Sequence, residues 1–240
     1  MPQVIDPRDE LISALARYLG GRYSDLTIVG ASRQWAVHKA IVCPRSGFFD
    51  AACEGSFKEA STNRIVLRDD DEDALDHMIH SIQISQRERA IETINSGRRQ
   101  HKRSRSLSIV EHQLVSLPAK NIPEHKAIRE EDVTIPPTNL VLHARVYALA
   151  DKFDVFGLKT LVKMKFATAM TNCHACAELA EAIDEVYNST ADSDRGLRDI
   201  VIQAMRFQPH LTANEAIMAV IKRTAPLAFE LWRVERGHPV

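Results

Sequence analysis

Apolar residues recur at helical spacing and then at strand spacing over the first 42 residues. An amphipathic helix over 9–19 is predicted from five positions on one face, Leu11, Ile12, Leu15, Tyr18 and Leu19. Gly20 and Gly21 end this helix. Residues 25–29 then predict a strand, 30–32 a turn and 34–42 the returning strand. The pattern indicates a β-hairpin whose loop is somewhat longer than the tightest type.

Two helices and a third strand are predicted between residues 45 and 82. Residues 45–54 favour a helix that directs Phe48 and Phe49 into a core, and residues 64–67 favour a strand. Five consecutive acids, 69–73, precede apolar positions at helical spacing. Because acids in a first helical turn complement the helix dipole and accept hydrogen bonds from free backbone N–H groups, we interpret them as a helix start. The alternative is a solvated run of charges.

The periodicity is lost between residues 85 and 137. A serine-rich stretch carries five lysines and arginines without an acid, and a stretch with four prolines follows it. Such composition is typical of a flexible insertion or linker. Either this is a genuine disordered loop, or the gene model retains translated non-coding sequence; the amino-acid pattern leaves both open.

Residues from 139 onward are predicted to be entirely helical. Four apolar faces mark successive helices: Leu140, Val141, Ala144, Tyr147 and Ala148; Leu158, Leu161, Val162 and Phe166; Leu179, Ala180, Ile183, Val186 and Tyr187; Leu197, Ile200, Val201, Ala204 and Met205. Thr212 and Glu215 have the spacing of a capping box before a further helix. The element order indicates an α+β fold, in which helices cover a small three-stranded sheet and an all-helical C-terminal extension follows.

Composition and charge exclude few classes of protein. The chain has 240 residues, 45% of them hydrophobic, and a formal net charge of −1, which gives no overall basic field for nucleic acid or a membrane. No apolar stretch approaches the ~20 residues that span a bilayer, and the acidic N-terminus lacks the features of a signal peptide. Four sparse cysteines do not resemble a disulfide framework, which favours a reducing compartment. We therefore expect a cytoplasmic or nuclear protein with no membrane association.

Candidate catalytic and metal-binding residues are few. His38 is interpreted as a hydrogen-bonded structural residue, because a general base needs a positioned partner and a substrate pocket. Cys173 and Cys176 have the spacing of half a zinc site or a redox pair, but no second close pair exists, and buried structural cysteines are favoured. No phosphate-binding glycine loop and no G-x-S-x-G motif is found. We expect no enzyme activity, no cofactor and no metal.

A basic run lies inside the insertion and consists of Arg98, Arg99, Lys102, Arg103 and Arg105. It could act as a nuclear import signal or make weak, non-specific contact with nucleic acid, and nearby serines could take phosphate and cancel its charge. The favoured alternative is a solvated loop. No aromatic residues are interleaved for base stacking, so sequence-specific nucleic-acid binding is not expected.

Several motifs occur in an order that resembles a BTB/POZ domain, particularly the fungal members of that family. They are Ser24-Asp25-Leu26, Val37-His38-Lys39-Ala40-Ile41, Ser46 with Phe48-Phe49, Phe57-Lys58-Glu59, Ile65-Val66-Leu67, and the run from Leu142 to Phe153. The resemblance covers roughly 9–84 and 139–170. It divides the chain into a first part of the domain over 1–84, the insertion over 85–138, a helical part over 139–170 and an extension over 171–240. The basic insertion, where the family has an aromatic-rich strand, and Gly47 in place of a common proline depart from the pattern.

The resemblance implies protein–protein binding, by a homodimer and in many members as an adaptor for cullin-based ubiquitin ligases. The implied dimer face includes Leu11, Ile12 and Leu15, with Asp25 and Lys39 at charged positions beside it. The triplet Phe57-Lys58-Glu59 matches the hydrophobic-x-acid motif with which some adaptors engage a cullin scaffold. The favoured alternative for the triplet is a simple loop anchored by one buried phenylalanine. An alternative function is a nuclear transcription or chromatin-associated regulator that uses the dimer and the basic loop.

Overall fold

A three-stranded sheet lies at the centre of the N-terminal part. It is seen in a computed structural model that describes residues 23–83, 139–173 and 178–238. The strands are β1 (Leu26–Val29), β2 (Gln34–Val37) and β3 (Arg64–Val66), in the spatial order β2-β1-β3. Strand β1 pairs antiparallel with β2 and parallel with β3. The predicted hairpin and third strand are confirmed.

One face of the sheet contributes to the core because side chains alternate along each strand. Leu26 and Ile28 in β1 are buried and Thr27 between them is only half-buried. In β3 the buried Ile65 lies between two exposed neighbours. Ile28 is opposite both Trp35 and Ile65. Because β1 is the central strand, its pairing sets the register of both outer strands.

The second strand is shorter than predicted. Residues 34–42 were expected to be extended, but β2 ends at Val37 and a one-turn helix α1 (Lys39–Val42) follows. The carbonyl of His38 accepts hydrogen bonds from the N–H groups of Ile41 (2.9 Å) and Val42 (3.0 Å), which turns the chain. A 3₁₀ turn, Cys43–Arg45, continues this direction, with a proline near its start.

Three more helices surround the sheet: α2 (Gly47–Glu54), α3 (Lys58–Thr62) and α4 (72–83). Helix α2 begins two residues later than predicted because Ser46 caps it, its hydroxyl accepting from the Phe49 N–H at 3.1 Å. Phe49 is fully buried, whereas Phe48 is 37% exposed. At α4 the carboxylate of Asp71 accepts from the Ala74 N–H at 2.8 Å, so the acidic run is confirmed as a helix start.

The described residues from 139 onward are helical, as predicted. The helices are α5 (Leu140–Lys152), α6 (Phe156–Asn172), α7 (Glu178–Ser189), α8 (Arg195–Phe207), α9 (Glu215–Arg223) and α10 (Ala225–Glu235). Together with the sheet they confirm the α+β class with a helical C-terminal region. Within the described ranges no helix has both the length and the apolar character needed to cross a bilayer.

Two sequence expectations about these helices are wrong. Leu161 was assigned to the buried face of α6, but it is 42% exposed, because the core-facing stripe repeats every fourth residue through Leu158 and Val162. The capping box that included Thr212 is not formed. A proline-led 3₁₀ turn contains Thr212, and Asn214 caps α9 by accepting from the Ala216 N–H at 2.9 Å.

Partly buried polar contacts join α5 to the start of α8. The Tyr147 hydroxyl donates to the carboxylate of Asp194 at 2.8 Å, and Lys159 pairs with the same carboxylate at 2.7 Å. A Cβ atom at Gly196 would lie 1.9 Å from the Tyr147 hydroxyl oxygen, so a larger residue there would displace the hydroxyl from its bond to Asp194. Arg198, which the apolar pattern of α8 does not predict, is also buried, and its guanidinium lies over the Tyr187 ring.

The N-terminal part joins the later helices at the start of α2. The Ser46 hydroxyl donates to the Phe153 carbonyl at 2.5 Å, across 107 residues of sequence. The Phe153 ring stacks on Phe49 at a centroid distance of 5.7 Å and meets the edge of Phe48 at 4.9 Å. One continuous hydrophobic core therefore runs from Leu26 in the sheet to Leu227 in the last helix.

The hairpin turn is held against the start of α4. The Glu72 carboxylate accepts hydrogen bonds from the Ser32 hydroxyl, from the Ser32 N–H at 2.5 Å and from the Arg33 N–H at 2.9 Å. These bonds, that of the Ser32 hydroxyl above all, lower the pKa of Glu72 from 4.5 to about 2. Trp35 adds a bond from its indole N–H to Asp76 at 2.7 Å.

Replacing Ser46 with alanine is expected to destabilise the fold by about 1–3 kcal/mol, since it removes a cap and leaves a buried carbonyl unsatisfied. Urea unfolding measures this as a lower transition midpoint. The matched control is Ser61→Ala, whose exposed hydroxyl donates to the Lys58 carbonyl within one helix, and we expect a change within ~0.5 kcal/mol. Equal losses in both variants would show that Ser46 does not join the two parts.

Glu72→Gln is expected to lower stability at neutral pH but not near pH 2. The folded-state pKa of Glu72 is depressed, so its stabilisation is fully present above about 4.5 and is lost as the pH falls towards about 2. Urea midpoints of wild type and variant, measured between pH 7 and 2, should converge over this window. Glu235→Gln, at an exposed position on α10, should show no such convergence, and parallel curves for Glu72→Gln would refute the assignment.

Candidate partner-binding surfaces

The triplet Phe57-Lys58-Glu59 is displayed at the start of α3. Phe57 has extended backbone angles and is the N-cap residue, and Lys58 and Glu59 form the first turn. The Phe57 side chain is 61% exposed. The expectation of a loop anchored by a buried phenylalanine is therefore wrong, because the ring lies outside the core and the acid belongs to a helix.

The Phe57 ring packs against Gly55, the residue that follows α2. A Cβ atom at Gly55 would lie 2.5 Å from Cδ2 of Phe57, so the ring lies directly over the glycine backbone. Helix α3 ends at Asn63, whose φ of 52° is in the left-handed region. The triplet thus lies on a short segment between Gly55, against which the Phe57 ring packs, and Asn63, whose left-handed backbone ends the helix.

Glu59 is half-buried in the first turn of α3 and forms no ion pair within the described part of the chain. In the sequence, Glu59 follows the exposed Phe57 by two positions. An exposed aromatic ring is suited to a partner surface that offers an apolar pocket.

Asp25 and Lys39 were assigned to the edge of the dimer face. Their side chains form hydrogen bonds with other groups of the fold and do not form an ion pair with each other. The Asp25 carboxylate accepts from the backbone N–H of Lys39 at 2.8 Å, which caps α1. The Lys39 ammonium donates to the side-chain oxygen of Asn63 at 2.5 Å. Lys39 therefore connects the hairpin to the end of α3, the helix that carries the triplet.

The remaining predicted site residues lie outside the described residues. These are Leu11, Ile12 and Leu15 of the dimer face, and Arg98, Arg99, Lys102, Arg103 and Arg105 of the basic run. The face and the run stay predictions.

Cys43, Cys53, Cys173 and His38 lie in the packed interior or at its edge. Burial, followed by a hydrogen bond with Cys53, raises the pKa of the Cys43 thiol to about 12, so it stays protonated at neutral pH and is a poor nucleophile. Cys173 is buried and disulfide-bonded, which agrees with the structural role favoured for it. His38 is buried at the end of β2. Within 23–83, 139–173 and 178–238, no group of three or more potential ligands could hold a metal ion.

An exposed aromatic pair on α10 was missed by the sequence reasoning. Phe229 and Trp232 project from this helix with their rings stacked at a centroid distance of 6.0 Å. Phe229 and Trp232 are three residues apart and lie on the side of the helix opposite the buried Leu227. Helical periodicity in the sequence therefore predicts that the two rings share a face.

Comparison with known proteins identifies the N-terminal part. The family model of the BTB/POZ domain matches residues 17–94. "Germ cell-less protein-like 1" of Homo sapiens and its namesake of Mus musculus are each 34% identical to this chain over 67 residues. That match covers 25% of this chain and 13% of each relative.

The resemblance to a BTB/POZ domain is confirmed by this match, whereas the fungal subtype stays a prediction, since both relatives are mammalian. The sheet and its surrounding helices agree with the match. Residues 17–94 form a BTB/POZ domain, which indicates a protein-interaction module of a generally non-catalytic kind.

Proposed function

We propose that this chain is a non-catalytic interaction module that forms a homodimer and recruits a cullin scaffold to a ubiquitin ligase. The observation that carries the cullin part is the exposed Phe57 ring at the start of α3, two positions before Glu59 in the sequence. A buried ring would have given the triplet a purely structural role. A cytoplasmic or nuclear location is part of the proposal.

The proposed module extends beyond the matched segment. Its first part spans 1–84, its helical part spans 139–170, the segment 85–138 is an insertion between them, and 171–240 is a helical extension. The contact of Ser46 with the Phe153 carbonyl supports this division, because it packs the second part onto the first.

Dimerisation is assigned to the predicted first helix, whose apolar face contains Leu11, Ile12 and Leu15. A stable dimer removes at least ~1,000 Å² of surface from water, and an apolar helix face in each protomer supplies much of that area. Asp25 and Lys39, which the resemblance places at charged positions beside this face, stay part of the proposed interface.

Changing Leu11, Ile12 and Leu15 together to serine is expected to convert a dimer into a folded monomer, because it removes the apolar contact area. Light scattering over a dilution series measures the mass, and circular dichroism checks the fold. The control is Leu161→Ser, which changes an exposed leucine on α6 and should leave the dimer intact. A wild-type monomer at every concentration, or a triple variant that stays dimeric, would contradict the proposed interface.

Phe57→Ala is expected to weaken binding of a purified cullin N-terminal domain by roughly tenfold or more, since it removes the apolar anchor. Glu59→Gln, which keeps the shape and removes the charge, should weaken it by roughly fivefold. Isothermal titration calorimetry with the full chain measures both. Glu54→Gln, an exposed glutamate at the end of α2, is the matched control and should bind like wild type.

Three results would refute the cullin assignment: no binding by wild type, equal binding by Phe57→Ala, or an equal loss in Glu54→Gln. The first of these leaves the dimer proposal intact, because the two rest on different surfaces.

A further inference from the structure

The last helix exposes two stacked aromatic side chains. Phe229 is 58% exposed and Trp232 is 50% exposed, and their planes are inclined by 21°. The guanidinium of Arg236 lies 5.7 Å from the centre of the Trp232 ring. The three side chains, one helical turn apart, form an aromatic–arginine row along the outer face of α10.

The opposite face of α10 is fixed to the protein, so the helix cannot rotate to bury the row. Leu227 is fully buried, and the Glu230 carboxylate accepts from the Tyr187 hydroxyl at 2.7 Å. Arg195 of α8 also pairs with Glu230. Turning Phe229 and Trp232 inward would break both contacts, so their exposure is enforced by the fold.

The charge of the row points to an anionic partner. Arg236 forms no ion pair with any carboxylate in the described ranges, and its contact with Trp232 keeps the guanidinium at the edge of the apolar surface. By comparison, Arg195 and Arg223 on neighbouring helices are each paired with an acid. Tryptophan and arginine are also the residue types most enriched at the energetic centres of protein interfaces.

The size of the row favours a short peptide over a second copy of the chain. An aromatic side chain buries about 150–250 Å² in total, so two rings that are already half-covered could bury roughly 200 Å² more. A stable protein–protein interface needs about 800 Å² on each partner.

We propose that Phe229, Trp232 and Arg236 form a docking site for a short peptide of a partner protein, which supplies a bulky apolar side chain and a nearby carboxylate. The apolar side chain packs on the stacked rings, and the carboxylate pairs with the guanidinium. The site lies outside residues 17–94 and does not depend on the dimer or on the triplet.

The test is selection of a displayed library of random twelve-residue peptides on the immobilised full-length protein, followed by affinity measurement of the enriched peptides. We expect sequences that combine an aromatic or large aliphatic residue with Asp or Glu. Trp232→Ala should weaken their binding at least tenfold and Arg236→Glu at least fivefold. Phe207→Ala and Arg206→Glu change an exposed phenylalanine and an exposed arginine on α8, and should stay within twofold of wild type.

Circular dichroism and urea unfolding check that the variants fold. If Trp232→Ala does not fold, Arg236→Glu alone still tests the proposal. No enrichment, enriched peptides without acids, or binding that survives Arg236→Glu would overturn the proposal. Sedimentation of the protein without peptide tests the rival occupant. A self-association that Trp232→Ala abolishes would identify a second copy on this face and would equally overturn it.

Discussion

The contact of Ser46 with Phe49 and Phe153 is the constraint on which the rest of the structure depends. One buried hydroxyl accepts from the first turn of α2 and donates to the carbonyl at the end of α5. The stacked rings of Phe49 and Phe153 add an apolar contact between the same two segments. Because the two segments lie 107 residues apart, this junction holds the BTB/POZ sheet and the later helices around one core.

Both proposed surfaces are displayed by contacts that originate in that core. Helix α2 is anchored by Ser46 at its start and ends at Gly55, over which the Phe57 ring lies. At the other end of the chain, Glu230 holds α10 through Tyr187 and Arg195, and so presents Phe229 and Trp232 to solvent. On α10 a partly buried polar contact holds the helix that exposes the aromatic pair, which lowers the entropy that a partner must overcome on binding.

Local patterns predicted the elements that depend on neighbouring residues. The alternation around the hairpin, the acids before α4 and the four-residue spacing in α5 and α8 all act within a few positions, and all three are confirmed. The errors occur where distant contacts intervene. Val37 ends β2 because Asp25 caps the helix that follows, and Leu161 is exposed because α6 buries a neighbouring stripe.

The sequence by itself determined the α+β class, the hairpin with the third strand, the helices α2 and α4 to α9, and the motifs that resemble a BTB/POZ domain, since periodicity and short motifs reside in contiguous residues. Only the tertiary structure decided that β1 pairs in parallel with β3, that Phe57 faces outward and that Arg198 is buried. Each of these depends on which surfaces meet across long separations in sequence. A side chain's exposure is a property of its neighbours in space, and hydrophobic spacing along one segment does not contain that information.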